Sequence, residues 1–576
     1  MNKIAISRYR PKQNIKKIQG LHPVLQTVLQ HRNIESADEV DNQLCNMLSY
    51  ESLQGINRAV ATIVEAVKEQ KKILIVGDFD ADGATSTAVA IRLLRQFGAE
   101  HVSYLVPNRF DFGYGLTVEL VDYAQQLKPD LIITVDNGIS SIDGVRHARS
   151  KGIKVVVTDH HLAAEYLPEA EAIVNPNQPG CLFPSKSIAG VGVIFYVLMA
   201  VRASLRESGW FSDGRSEPNL ASVLDLVALG TVADVVPLDR NNRILVDQGL
   251  KRIRSGSCAP GISSILKVAG RNQFNCVASD LGFAVGPRLN AAGRLKDMSL
   301  GIECLISDDE RYCQQIAEQL HTLNTERRSI ESGMLEQAMA ALDDLTKTID
   351  AKKIPAAIVL YNQQWHQGVI GILASRIKEQ FYRPVIAFAL SDNGEIKGSA
   401  RSIKGLNIRD AIDLVDKAHP HLIKKFGGHA MAAGLTINED QLALFDNAFT
   451  AIVAELLSDD DLTNVLNTDG ELSADDFTMG LAEQLRYAGP WGQQFPEPLF
   501  DNDFEVIEWR IVGEKHLKLK LQPENSELLV EAIAFNTSDQ QLGQNTDKIR
   551  AVYKLDVNEF RNNKTLQLMI EYLEPA

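Results

Sequence analysis

Short runs of apolar, mostly β-branched residues recur from residue 73 onward, each followed by a helical pattern. Ile73–Val76, His101–Val106, Leu131–Val135, Lys154–Thr158 and Ala172–Val174 read as buried strands, since short continuous apolar runs suit a strand covered on both faces. Between them, Ala84–Phe97, Thr117–Leu127 and the residues after Ser141 carry helical spacing, and Gly98 is placed to end the first helix. This alternation predicts an α/β domain built on a parallel sheet. Residues 190–255 read as mostly helical. Apolar residues Ile316, Leu320, Leu323, Ile330, Met334, Ala338 and Leu342 continue at helical spacing after Ser307-Asp308-Asp309-Glu310, which fits a capping box. They predict one long helix over about 305–345. A second α/β segment starts at Ala356–Leu360. After an acidic stretch near 458–476, which reads as a linker or a solvated loop, five alternating runs (Phe504–Arg510, Leu517–Leu521, Leu528–Phe535, Ile549–Leu555, Leu566–Tyr572) predict a small OB-like β-barrel.

The expected division is therefore a basic lead-in over 1–70, a catalytic domain over 71–304, a connecting helix over 305–345, a second α/β domain over 346–457 and the barrel over 458–576. With 576 residues, several domains are expected. The longest apolar run, Gly190–Val201, is too short to cross a bilayer, which takes roughly 20 residues. The first residues show no signal-peptide pattern. Six cysteines without a C-x-x-C argue against a zinc ribbon or a disulfide framework and predict a reducing cytoplasm. A net charge of −15 disfavours nucleic acid until its distribution is considered: twelve acids and no Lys or Arg fall in 426–485, leaving −3 for the rest, and residues 1–34 hold seven Lys or Arg and no acid. Local basic surface is compatible with that total.

Candidate chemistry gathers at strand ends. Gly77-Asp78-Phe79-Asp80-Ala81-Asp82-Gly83 follows the first strand, Asp136-Asn137-Gly138 ends the third and Asp159-His160-His161 the fourth. Ligands bind at the carboxyl ends of parallel strands. Acids this dense repel one another unless a cation is present, and oxygen-rich sites suit Mg²⁺ or Mn²⁺. Asp234 adds a fourth acid after an apolar helix, where a turn or capping role is the common alternative. So many acids with two His suggest two ions and phosphoester hydrolysis. No P-loop and no G-x-S-x-G is present.

Asp-x-Asp-x-Asp-Gly, Val-Asp-Asn-Gly and Asp-His-His, in that order, resemble the DHH phosphoesterase superfamily. Gly427–Gly434 (GGHAMAAG) resembles the mark of its DHHA1 subfamily. Gly286–Arg294 (GPRLNAAGR) and His366–Gly371 (HQGVIG) are similar to the bacterial single-strand-specific exonucleases of that subfamily. The resemblance spans about 70–435, and the trailing β-rich segment agrees with it. It implies a 5′→3′ exonuclease on single-stranded DNA that releases 5′-mononucleotides, with two Mn²⁺ or Mg²⁺ ions. It places Asp80, Asp82, Asp136, His160 and Asp234 as metal ligands, with Asp136 bridging, and His161 at the scissile phosphate. Pyrophosphatase relatives carry a His where this chain has Val76, so Asp78 is the candidate substitute ligand. Asp159 is expected to orient His160 or its loop. Arg109, Arg288, Asn290, Arg294, His366, Ser399, Arg401, Gly427, Gly428 and His429 are the substrate-side candidates, because Arg and glycine-exposed backbone suit phosphate. A helix-packing motif is the alternative for Gly427-Gly428. The implied setting is a monomer in recombination and repair, beside a single-strand-binding protein and a RecQ-type helicase, with no membrane. Two other readings stay open: a phosphodiesterase of short oligonucleotides or cyclic dinucleotides, which needs no barrel, and a non-catalytic DNA-binding scaffold, which would be expected to lose metal ligands.

Overall fold

The computed structural model describes residues 4–10, 18, 20–107, 115–212, 214–348, 354–391, 394–458, 460–513, 516–535, 537, 547–560 and 563–576, with side chains of 343–348 and 560 excepted. It divides into two compact units, Arg8–Thr322 with Thr468–Ala576, and Met1–Ser7 with Leu323–Asn467.

The first unit holds the parallel sheet. Strands β1 (Ile73–Gly77), β2 (Val102–Leu105), β3 (Leu131–Val135), β4 (Lys154–Thr158) and β5 (Ala172–Val174) lie in the order β2-β1-β3-β4-β5, every pair parallel. β1 and β3 are buried along their whole length, which is why both read as unbroken apolar runs. The chain turns to β2 on one side of β1 and returns to β3 on the other. Such a reversal opens a crevice at the carboxyl ends of β1 and β3. Helix α1 (Ala81–Gln96) begins three residues before the expected Ala84, because Asp80 caps it by accepting the Gly83 N–H at 3.0 Å. Helices α2 (Gly190–Glu207), α3 (Leu224–Ala233) and α4 (Gly286–Leu295) complete the surroundings of the crevice.

The same unit contains a closed five-stranded barrel: β11 (Phe500–Val512), β12 (His516–Pro523), β13 (Val530–Ala534), β14 (Lys548–Phe560) and β15 (Asn563–Pro575), in the order β11-β12-β13-β15-β14. Only β13 and β15 pair in parallel. Part of the acidic stretch expected to be a solvated linker is interior instead. The Asp469 side chain is 1% exposed and accepts from Arg32 at 2.7 and 3.0 Å, with His31 Nδ1 at 2.9 Å. Arg8 likewise pairs with Asp501 at 2.8 Å. These two N-terminal basic residues thus serve internal ion pairs.

Helix α5 (Glu310–Thr348) spans the boundary between the units. It starts later than expected. Ser307 is extended and ends the preceding helix Ser299–Ile306, and Asp309 rather than Ser307 caps α5, accepting from the Arg311 and Tyr312 N–H groups. The second unit carries a mixed sheet of β6 (Ile358–Asn362), β7 (Val385–Leu390), β8 (Glu395–Arg401), β9 (Lys425–Gly428) and β10 (Ala432–Asn438), in the order β9-β10-β8-β7-β6. Only β6 and β7 are parallel. Helix α6 (Ile370–Phe381) follows β6.

Candidate metal centre

β1, β3 and β4 each deliver acids to the crevice within a residue or two of their ends, so the fold itself assembles the cluster. Asp82 sits in the first turn of α1 and is almost fully buried. Its two oxygens accept from the Gly190 and Val191 N–H groups at 2.7 and 2.9 Å, at the amino end of α2 where partial positive charge gathers. Burial, then Asp80, push its pKa up to about 7 against that pull. Asp136 adopts a left-handed backbone, φ 62°. Burial, then Asp82, Asp80, Asp234 and Asp78, raise its pKa well above the carboxylate range. Asp234 caps the carboxyl end of α3 and is raised for the same reasons, burial first. The capping and cluster roles expected as alternatives coexist in this residue.

His160 Nε2 lies 3.1 Å from Asp136 Oδ1, 3.5 Å from Asp234 Oδ2 and 3.9 Å from Asp82 Oδ2. Three sets of donor atoms each gather within 4.8 Å: Asp82, His160 and Asp234; Asp78, Asp80 and Asp136; Asp136, His160 and His161. Asp136 therefore belongs to sets on both sides of the cluster, and Asp78 stands among the donors. Mutually repelling buried carboxylates with one imidazole are a donor set that fits hard divalent cations.

Asp159 holds the loop, one of the two expected roles, by accepting the backbone N–H groups of His160, His161 and Ile139, and it also accepts the ring Nδ1–H of His161 at 2.8 Å. Burial pulls the His161 pKa down, but Asp159 and the charges of Asp78 and Asp80 outweigh it and hold it at about 9. Asp159 is itself lowered, since His161 more than reverses the effect of burial. Asn177 and Asn175 donate to the His160 and His161 carbonyls and fix the loop.

Glycines make the crowding possible. A Cβ on Gly83 would lie 2.4 Å from the Asp78 carbonyl oxygen, and one on Gly190 would lie 2.6 Å from Asp136 Cβ. Gly190, Val191 and the two Asn were missed in the sequence. The glycine pair opening the 190–201 run was the available signal, but nothing local ties it to an aspartate 108 residues earlier.

Three family models match the chain: the DHH family N-terminal domain over residues 72–231, the DHHA1 domain over 355–455 and the RecJ OB domain over 468–572. A single-stranded-DNA-specific exonuclease RecJ of Dickeya dadantii is 52% identical over the full length of both chains, and that of Escherichia coli is 51% identical over 96% of each. The chain belongs to the RecJ family. Among solved structures, RecJ of Thermus thermophilus in complex with Mn²⁺ is 28% identical, with a TM-score of 0.79 over 96% of this chain and 76% of its own. The RecJ-family motifs further along the chain separate into two groups. Arg288, Asn290 and Arg294 lie on α4. Arg288 is buried, donating to the Ala284 carbonyl at 2.7 Å and to His321 Nδ1 at 3.2 Å. Asn290 accepts the Ala81 N–H at 2.8 Å, so it braces the start of α1. Arg294 is half-buried. Arg109 lies outside the described residues.

The second unit holds the rest. Ser399 and Arg401 share the end of β8, Arg401 donating to Ser399 Oγ at 3.2 Å and to the Ala400 carbonyl. Burial alone lowers the Arg401 pKa. Gly371, in the first turn of α6, leaves them room: its Cβ would lie 2.8 Å from Arg401 Nη2 and 2.9 Å from Ser399 Oγ. A guanidinium, a hydroxyl and a helix amino end together suit phosphate. His366 Nδ1 accepts the Gly368 N–H and shapes the turn before α6. Gly427, Gly428 and His429 form an exposed β-hairpin, not a helix-packing motif, with Gly428 at φ 142°.

Proposed function

We propose that this chain degrades single-stranded DNA from the 5′ end, releasing 5′-mononucleotides by hydrolysis at a centre of two Mg²⁺ or Mn²⁺ ions. The observation that carries it is Asp136, whose carboxylate is shared between the His160 side and the Asp78–Asp80 side of one buried cluster. Asp78, Asp80 and Asp136 would hold one ion, and Asp82, Asp136, His160 and Asp234 the other. When bound, such ions activate water and neutralise the leaving oxygen. His161, protonated and aimed by Asp159, donates to the scissile phosphate and stabilises its developing charge. Ser399, Arg401 and the amino end of α6 bind phosphate, with Gly427, Gly428 and His429 presenting backbone to the strand and His366 holding the turn. Arg288, anchored by Ala284 and His321, and Arg109 select a 5′-phosphate, which carries more charge than an internal diester. Asn290 keeps α4 against the metal loop through the Ala81 N–H, and Arg294, further along the same helix, meets substrate phosphate.

The barrel favours a polymer substrate, since OB-folds track single strands. The domain limits expected from the sequence are retained in this reading, with the connecting helix moved to Glu310–Thr348, as are a monomeric enzyme in the cytoplasm and a helicase and single-strand-binding protein as partners. Among the described residues no helix is long and apolar enough to cross a membrane. Digestion of strands labelled at either end, with each metal and with chelator, tests the assignment. Label should leave the 5′ end first and only with metal; release from the 3′ end, or activity in chelator, would overturn it.

A further inference from the structure

Between the helices beside the metal centre and the barrel, within one unit, lies a cavity of about 290 Å³ that none of the roles above uses. Its size is near the lower end of small-ligand sites. Phe283, Tyr487, Trp491, Leu555 and Met569 line it. Phe283 is 78% exposed and projects from a π-helical turn, Leu281–Val285. Turns of that kind recur at functional sites. The same turn supplies the Ala284 carbonyl that holds Arg288. On the same wall, the Arg254 guanidinium lies over the Tyr487 ring, 5.1 Å from its centre.

The charges are informative. Arg271 pairs with Asp280, Lys554 with Glu497 and Arg486 with Asp556. Arg254 donates to the Cys276 carbonyl and, among the described residues, meets no carboxylate. Asp247, also on the wall, pairs with Lys251, so the wall is balanced in charge and offers flat π-surfaces, one planar cation outside any ion pair and scattered acceptors, a set that suits a nucleobase rather than a string of phosphates.

Position connects it to the metal centre. Val235 follows Asp234, is 63% exposed and has φ 58°, a strained conformation for a β-branched residue. Three residues on, the Leu238 N–H donates to the Gln493 carbonyl of the barrel side at 2.8 Å. The turn bearing Phe283 packs against the same stretch, since a Cβ on Gly282 would lie 3.3 Å from Val232 Cγ1 and one on Gly286 3.1 Å from Ala233 Cβ. We propose that Phe283, with Tyr487 and Arg254, forms a stacking site for one base of the substrate strand between the metal centre and the barrel. The proposal rests on the exonuclease reading.

The test uses the full chain with Mn²⁺ and 5′-phosphorylated strands in which a single abasic position is moved along the sequence. On the wild type, one downstream position should raise the half-saturating strand concentration roughly tenfold, the scale of one stacked base. Phe283→Ala should show that tenfold rise on the intact strand, keep kcat at saturation, and lose sensitivity to the abasic position. Phe283→Trp should restore both. Tyr487→Ala reads the same site from the barrel side. Unchanged half-saturation in both alanine variants, or the same abasic sensitivity in them, overturns the stacking site while leaving the exonuclease intact. A loss that appears only when a second protein is added also overturns it, assigning the cavity to protein docking. A wild type that degrades no single strand overturns the exonuclease reading itself.

Discussion

At the scale of residues, the centre is a set of charges that destabilise one another. Asp136→Asn removes a ligand shared by two donor sets and also one member of a repelling cluster. Hydrolysis should fall to background while the metal-free thermal midpoint holds or rises, read by a melting curve in chelator beside an activity assay. His161→Ala should lose turnover with bound metal retained, measured by elemental analysis. Asp159→Asn removes the partner that raises His161. An imidazole raised by its carboxylate partner keeps its proton to higher pH than a free one, so wild-type activity that needs the proton falls only on the alkaline side. In the Asp159 variant the alkaline limb of the pH–rate profile should move to lower pH, with activity down roughly 10–100-fold. Most of these side chains were legible because each follows a strand that was itself legible. The pairing of Asp159 with His161 was not, since adjacent imidazoles cannot be told apart without the loop's backbone.

At the scale of elements, close approach decides. α2 meets Asp136 and Asp82 through Gly190, where any side chain would collide. Gly190→Ala should cost about 1–3 kcal/mol of stability, the range for overpacking, and weaken metal binding through the displaced Asp82. Calorimetric metal titration beside chemical unfolding would measure both; an unchanged affinity would dissociate α2 from the centre. The parallel sheet and barrel strands were readable from periodicity, because each is a local pattern. The starts of α1 and α5 were misplaced by a few residues, because Asp80 and Asp309 compete as caps with equally plausible neighbours. The mixed sheet of the second unit and the hairpin at Gly427–Gly428 were hidden, since their pairing is long-range and glycine-rich strands carry little pattern.

At the scale of the whole chain, the acidic and basic segments are partly internal rather than surfaces for partners. Arg32 is buried, holds Asp469 with two hydrogen bonds, donates to Pro496 and lies 5.2 Å from the Trp491 ring centre. Arg32→Ala should cost roughly 3–5 kcal/mol, the usual range for breaking a buried pair, seen as a lower unfolding midpoint. Burial raises Asp469, but His31 and Arg32 lower it further, to a value below that of a free carboxylate. Its contribution to stability is therefore full above about pH 4 and is lost as pH falls through the depressed value. Ending the chain near Asp461 would strip Asp469, Asp501 and Gln493 from Arg32, Arg8 and Leu238. The remaining catalytic part should melt lower than the full chain.

The carboxyls crowded around Asp136 also make cation uptake an acid-releasing event. Asp82 is pushed up to about 7, and Asp136 and Asp234 are raised well above the ordinary carboxylate value, so protons held by the cluster must leave as a cation binds. Binding should acidify an unbuffered solution, and affinity should climb steeply with pH up to the point where those protons are already gone. Titrations in buffers of different ionisation enthalpy would count the protons, and Asp234→Asn should lower the count.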